Sequence, residues 1–204
     1  ANRIAFVMAL HCAFARISLF LRNIAGVLSL MMIVALPSLC AAVEYTEVEW
    51  TDLMPKDDLD ALLAPPEYLN DIADGSQQDS VAALNQKESV DAQTKRYRDA
   101  LSSTRVMQEF NGKQIRIPGY MVPLEQNEER EVTAFFIVPY FGACLHMPPP
   151  PPNQILYVQY EEGIALEALQ QPFWFEGTLT VALNENALGT SAYTLNIDDY
   201  RLYE

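Results

Sequence analysis

Five runs between Lys113 and Tyr203 carry strand patterning, and a chain that repeats this signal so closely has few folds open to it. The first run, "KQIRIPGYMVPL", places Ile115 and Ile117 on one face. The second, "EVTAFFIVPYF", is apolar on both faces, as a buried central strand is. "QILYVQY" is the third. "PFWFEGTLTVAL" is the fourth, with Phe173, Phe175, Leu179 and Val181 alternating. "SAYTLNIDDYRLY" is the fifth, with Tyr193, Leu195 and Ile197 on one face. Asn111-Gly112, "NEER" and "NENALGT" supply turns. Between the third and fourth runs, "EEGIALEALQQ" reads as a short helix with Ile164, Leu166 and Leu169 turned inward. Five strands with a helix between the third and fourth is the element order of an OB-like barrel, whose closure removes exposed edges. The expected fold is mainly β, a five-stranded OB-like barrel over residues 112–204. A five-stranded β-sandwich is the alternative.

Residues 43–111 read as a partly helical extension ahead of the barrel. Alternation over Val43 to Trp50 predicts a short strand. "KDDLDALL" predicts one or two helical turns, stopped by Pro65 and Pro66. Residues 70–89 are polar and weakly periodic, a loop with local helix. Asp91 to Gln108 reads as a helix, with Asp91 as its N-cap. Tyr97, Leu101 and Val106 give it a thin apolar stripe.

Residues 1–42 read as an address rather than as fold. Arg22 precedes the uncharged run Ile24 to Leu36, and small residues follow at Cys40, Ala41 and Ala42. A basic region, an apolar stretch of about 7–15 residues and a small-residue cut site make a secretory signal. Cleavage is expected after Ala42, with residues 1–21 upstream of the true start. The alternative is an uncleaved membrane anchor, because Ile24 to Ala42 approaches the roughly 20 residues that span a bilayer.

Cleavage changes the balance of chemistry. It removes Arg3, Arg16 and Arg22, leaving 10 of the 13 basic residues against all 27 acidic ones, a formal charge of −17. Such acidity argues against nucleic acid, whose binding rests on Lys and Arg neutralising phosphates. It favours cations or basic partners, or serves solubility alone. His11, Cys12 and Cys40 leave as well, so one thiol, Cys144, and one imidazole, His146, remain. They stand two positions apart, just before five prolines, in "VPYFGACLHMPPPPPNQ".

That segment is the loop between the second and third strands. Polyproline has fixed φ and no backbone donors, and five residues make a rod of about 15 Å. Side chains two apart on an extended chain share a face, so Cys144 and His146 point the same way. Gly142 allows close approach of a ligand or backbone. In a structural reading, the prolines guard a sheet edge and Cys144 is inert. In a metal reading, thiolate and imidazole hold zinc or copper. Zinc takes about four ligands, so a monomer must borrow carboxylates or water, or a homodimer must join two Cys-x-His pairs. In a thiol-enzyme reading, His146 lowers the pKa of Cys144, but the sequence identifies no third orienting residue. In a recognition reading, the rod docks a partner together with Tyr140 and Phe141. No phosphate loop, HExxH or GxSxG motif is present.

"GKQIRIPGYMVPLE", "TAFFIVPYFGACLHMPPPPPNQILYV" and "FWFEGTLTV" together resemble the exported bacterial domain-of-unknown-function family 3299. The resemblance covers Gly112 to Tyr203, with a fainter match at "VEWTDLMP". The matching signature residues are Pro139, Tyr140, Gly142, Cys144, His146, Pro148, Pro149, Pro150, Pro151, Pro152, Asn153 and Gln154. The resemblance implies a periplasmic protein of a Gram-negative envelope with an OB-like barrel. It also implies a gene context beside an ABC-type export system and, in some cases, a histidine-rich zinc-binding protein. The expected function is a non-enzymatic accessory to envelope transport or to zinc or copper homeostasis. Cys144 and His146 would contact metal. Tyr140, Phe141, Gly142, Pro148 to Pro152, Asn153 and Gln154 would contact a partner, either an ABC-system component or a periplasmic metal-binding protein. The alternative is a metal-free docking module.

Overall fold

The computed structural model describes residues 43–72, 76, 91–142, 149–165 and 170–203. The five expected strands are present as β2 (Lys113–Gln126), β3 (Val132–Val138), β4 (Leu156–Ile164), β5 (Phe173–Asn186) and β6 (Gly189–Leu202). Neighbours run in the order β2, β3, β4, β6, β5, and a further β2–β5 pairing closes the ring. The β4–β6 contact is parallel, through Leu156↔Tyr193 and Tyr157↔Thr194; the others in the barrel are antiparallel.

One long strand makes the closure possible. β2 pairs with β5 from Lys113 to Gly119, then with β3 from Tyr120 to Gln126. The change of partner falls at Gly119. A Cβ there would collide with Ile137 Cγ2 and reach within 3.2 Å of Trp50 Cζ2. Glycine at this bend thus lets β3 and an indole both press on the strand.

The alternation read from the sequence is the burial pattern. Ile115, Ile117, Phe135, Ile137, Phe175, Leu179, Tyr193 and Leu195 are fully buried in one interior cluster. β3 is apolar on its other face for a separate reason: Phe136 and Val138 join Ile155 in a second cluster, flanked by Tyr120, Val122, Leu124 and Tyr157.

The helix expected after the third strand is corrected at its start. β4 continues through Glu161 to Ile164, and Ile164 pairs with Val132. Gly163 adopts φ +77 with its Cα against Glu131, a left-handed kink that a helix would not contain. Leu166 and Leu169 lie outside the described residues, as do residues 1–42 with their expected cleavage site. Among the described residues, no helix is long and apolar enough to cross a membrane.

Val43–Glu204 forms one compact unit, so the extension is part of the barrel's packing. β1 (Thr46–Glu47) is shorter than expected and pairs in parallel with β2 at Ile115 and Arg116. A 3-10 turn at Trp50–Leu53 follows, and its Leu53 enters the barrel core. α1 (Lys56–Leu62) and α2 (Ala92–Leu101) are the two expected helices. Asp91 caps α2 by accepting from the Thr94 amide at 2.8 Å, and this hydrogen bond holds its carboxyl below the usual range. α2 ends at Leu101 rather than near Gln108. Ser103 turns inward to donate to Asp58 at 2.5 Å, and Arg105 forks onto Asp57 at 2.6 and 2.9 Å. That fork draws the Asp57 pKa down.

Candidate functional site

The segment between β3 and β4 is held at both ends. On the β3 side, Phe141 packs edge-on against Tyr120 of β2, with ring centroids 6.0 Å apart. Tyr140 and Phe141 are nonetheless 42% and 54% exposed. Gly142 follows at φ +73. On the β4 side the prolines do not stand out as a free rod. Pro150 and Pro151 are buried, Pro149 and Pro152 are half-buried, and Pro152–Gln154 forms a 3-10 turn. Cys144, His146 and Pro148 lie outside the described residues.

Asn153 and Gln154 explain that anchoring. Both are buried, and their amide groups bond to the extension rather than to solvent. Asn153 Nδ2 donates to the Arg105 carbonyl at 3.0 Å. Gln154 Nε2 donates to the Trp50 carbonyl at 2.6 Å and to the Asn153 carbonyl at 3.1 Å. Two buried side-chain amides therefore fasten the loop's end to residues of the extension that lie 48 and 104 positions earlier in the chain.

Tyr193 reinforces the same junction from inside the barrel. Its hydroxyl donates to the Leu53 carbonyl at 2.8 Å and accepts from the Met107 amide at 2.7 Å. Burial pushes its pKa up to about 12. The sequence reading assigned Tyr193 to the core by its period but gave its hydroxyl no role. A tyrosine among inward-facing aliphatics is the signal for it, since a buried hydroxyl needs partners.

The sequence reading gave Trp50 and Tyr203 no functional role. Trp50 Nε1 donates to the Pro118 carbonyl at 2.7 Å, laying the indole along β2. The Tyr203 amide donates to the Pro172 carbonyl at 2.9 Å, and its ring lies 5.0 Å from that of Trp174. Arg116 stacks over Trp174 at 4.4 Å while pairing with Glu47 at 2.6 Å. Trp50, Pro118, Tyr120, Pro139, Pro172 and Tyr203 line a surface groove of about 220 Å³ beside Phe141. Among the described residues, no three His, Cys, Asp or Glu side chains converge to hold a metal ion. Of the carboxylates Glu125, Glu128, Glu129 and Glu131, the first three are exposed, and Glu131 is half-buried and accepts from Asn127 Nδ2 at 3.0 Å.

A family model described as "Protein of unknown function (DUF3299)" matches residues 50–201. The chain is also similar to a DUF3299 family protein from Pseudomonas aeruginosa PAO1, whose crystal structure was determined at 2.45 Å resolution. The two are 32% identical, the match covers 79% of this chain and 98% of the other, and the TM-score is 0.56. The curated proteins give no match.

Proposed function

The chain belongs to the DUF3299 family, and on that premise we propose that it is a non-catalytic accessory protein of the bacterial envelope, acting by contact through the segment that joins β3 to β4. The supporting observation is the way that segment is mounted. Its proline end is fastened by Asn153 and Gln154, while Tyr140 and Phe141 at the other end keep about half of their surface exposed. Exposed aromatics on a rigid frame are typical contact anchors, because they bury much area for little lost entropy. Pro150, Pro151, Asn153 and Gln154 then act as the mount, and Tyr140 and Phe141 as the contact. A component of an ABC-type transport system is the partner that this reading expects. Export across the inner membrane into the periplasm rests on the pattern of residues 1–42.

The test is quantitative co-purification from envelope fractions with the Tyr140→Ser/Phe141→Ser double variant. Recovery of a specific partner should fall about tenfold, the loss of one contact hot spot. Equal recovery would remove the loop from the contact.

A second reading concerns metal. Cys144 and His146 are the sole thiol and imidazole after Ala42, two positions apart in the segment whose ends are held. With soft ligands in this number, they suit transient zinc or Cu(I) transfer, or a site shared between two copies. Native mass spectrometry of the reduced protein, titrated with Zn(II) and with Cu(I), is the check. Stoichiometric metal lost in both Cys144→Ser and His146→Ala supports the reading, and no metal on the wild type ends it.

A further inference from the structure

The groove beside Phe141 has a composition that names a ligand class. Its six principal walls are three aromatic rings and three prolines. Aromatic and proline side chains present flat, rigid, apolar surfaces, and extended proline-bearing segments dock on such surfaces because their own shape is already fixed. The walls come from four separate parts of the chain: Trp50 from the extension, Pro118 and Tyr120 from β2, Pro139 after β3, and Pro172 with Tyr203 from the two ends of the β5–β6 hairpin. The Trp50 indole and the Tyr203 amide are both tied to backbone carbonyls of groove residues, so the walls are fixed.

Charge fixes the second property of the ligand. The chain carries 27 acidic against 13 basic residues. Glu49 and Asp52, both exposed, belong to the same turn as Trp50. The two arginines on the adjoining strands are paired: Arg116 with Glu47 at 2.6 Å and Arg201 with Glu176 at 2.8 Å. The acidic excess of the chain and the exposed Glu49 and Asp52 favour a basic ligand and speed its arrival.

We propose that this groove is a docking site for an extended, proline-bearing, basic segment of a partner protein. The proposal rests on the contact reading above and supplies the partner's chemistry. The groove adjoins the exposed loop through the Tyr120–Phe141 pair, so one partner segment can touch both.

The experiment uses the purified chain and isothermal titration calorimetry. The probe is a synthetic peptide with an Arg followed by a Pro-x-x-Pro motif. Controls replace the prolines by Ala, or the Arg by Glu. Saturable binding of the probe, lost on either replacement, is the expected result. Tyr203→Ala removes an exposed ring at the chain's end and should weaken binding about tenfold with unchanged circular dichroism. Trp50→Phe keeps a ring but loses the bond to Pro118, and should weaken binding as well.

The proposal is overturned by equal binding of probe and controls, by no binding, or by full affinity in both variants. It is also overturned if sedimentation shows self-association that Tyr203→Ala abolishes, since the groove would then hold a second copy. Tyr140→Ser/Phe141→Ser separates the two levels. If the probe fails while that variant still loses its cellular partner, the groove assignment falls and the loop reading stands.

Discussion

Replacing Tyr193 by Phe removes one oxygen from the centre of the molecule and tests how the extension and the barrel are joined. The ring stays, so packing is preserved. Two hydrogen bonds go: the one to the Leu53 carbonyl at 2.8 Å and the one from the Met107 amide at 2.7 Å. Each is worth about 1 kcal/mol net, and a partner left dry adds a desolvation penalty of about 1–3 kcal/mol. Leu53 is fully buried and cannot turn to water, so its carbonyl bears that penalty in full. We expect a loss of about 2–4 kcal/mol, which in a domain of this size lowers Tm by roughly 4–16 °C. Thermal and urea unfolding followed by far-UV circular dichroism will measure it, with Tyr203→Phe as an exposed control. A loss below about 0.5 kcal/mol, the range of an ordinary surface change, would refute the claim that this hydroxyl ties the two parts together. The same residue sets an alkaline limit. Its folded pKa is raised to about 12, so the native state holds the proton more tightly than the unfolded chain, where tyrosine titrates near 10. Stability from this group is complete below about pH 10 and is lost as pH rises from there toward about 12. Tyr193→Phe should lack this part of the alkaline decline.

Other changes probe the mount and the groove. Gln154→Met keeps the volume but loses the donor to the Trp50 carbonyl; it should cost about 1–3 kcal/mol in urea unfolding and make tryptophan emission easier to quench with acrylamide. Gly119→Ala places a methyl group against the buried Ile137 and should cost about 1–3 kcal/mol by thermal unfolding, with a shift in tryptophan emission as Trp50 is displaced. Asp91→Ala removes the α2 cap and should reduce helical signal. In the wild type, the stabilisation from this carboxylate should be present above its ordinary pKa and lost as pH falls through the lowered one.

The barrel was legible in the sequence because alternation with period two reports directly which face is buried, as at Ile115 and Ile117. β3 stood out by being apolar throughout, and its outer face proved to have its own cluster around Phe136. The start of the expected helix failed because Ile164 and its neighbours match either period over so short a run, and Gly163 turns the chain instead. The site was half legible. The Pro-Asn-Gln motif was visible in the sequence, but polar residues after prolines read equally as contacts or as buried fasteners. Only the partners, Arg105 and Trp50, decide between them. The groove was illegible for a different reason: its walls are scattered from Trp50 to Tyr203, and no local pattern announces a surface assembled by closure of a barrel.

The central claim is that the exposed aromatics after β3 meet a partner in the envelope. The most direct test places a photo-crosslinking residue at Phe141 in living cells, with Leu188 at the β5–β6 turn as an equally exposed control. The account predicts one light-dependent adduct with an envelope protein from position 141 and none from 188. No adduct at 141, or the same adduct from both positions, would contradict it.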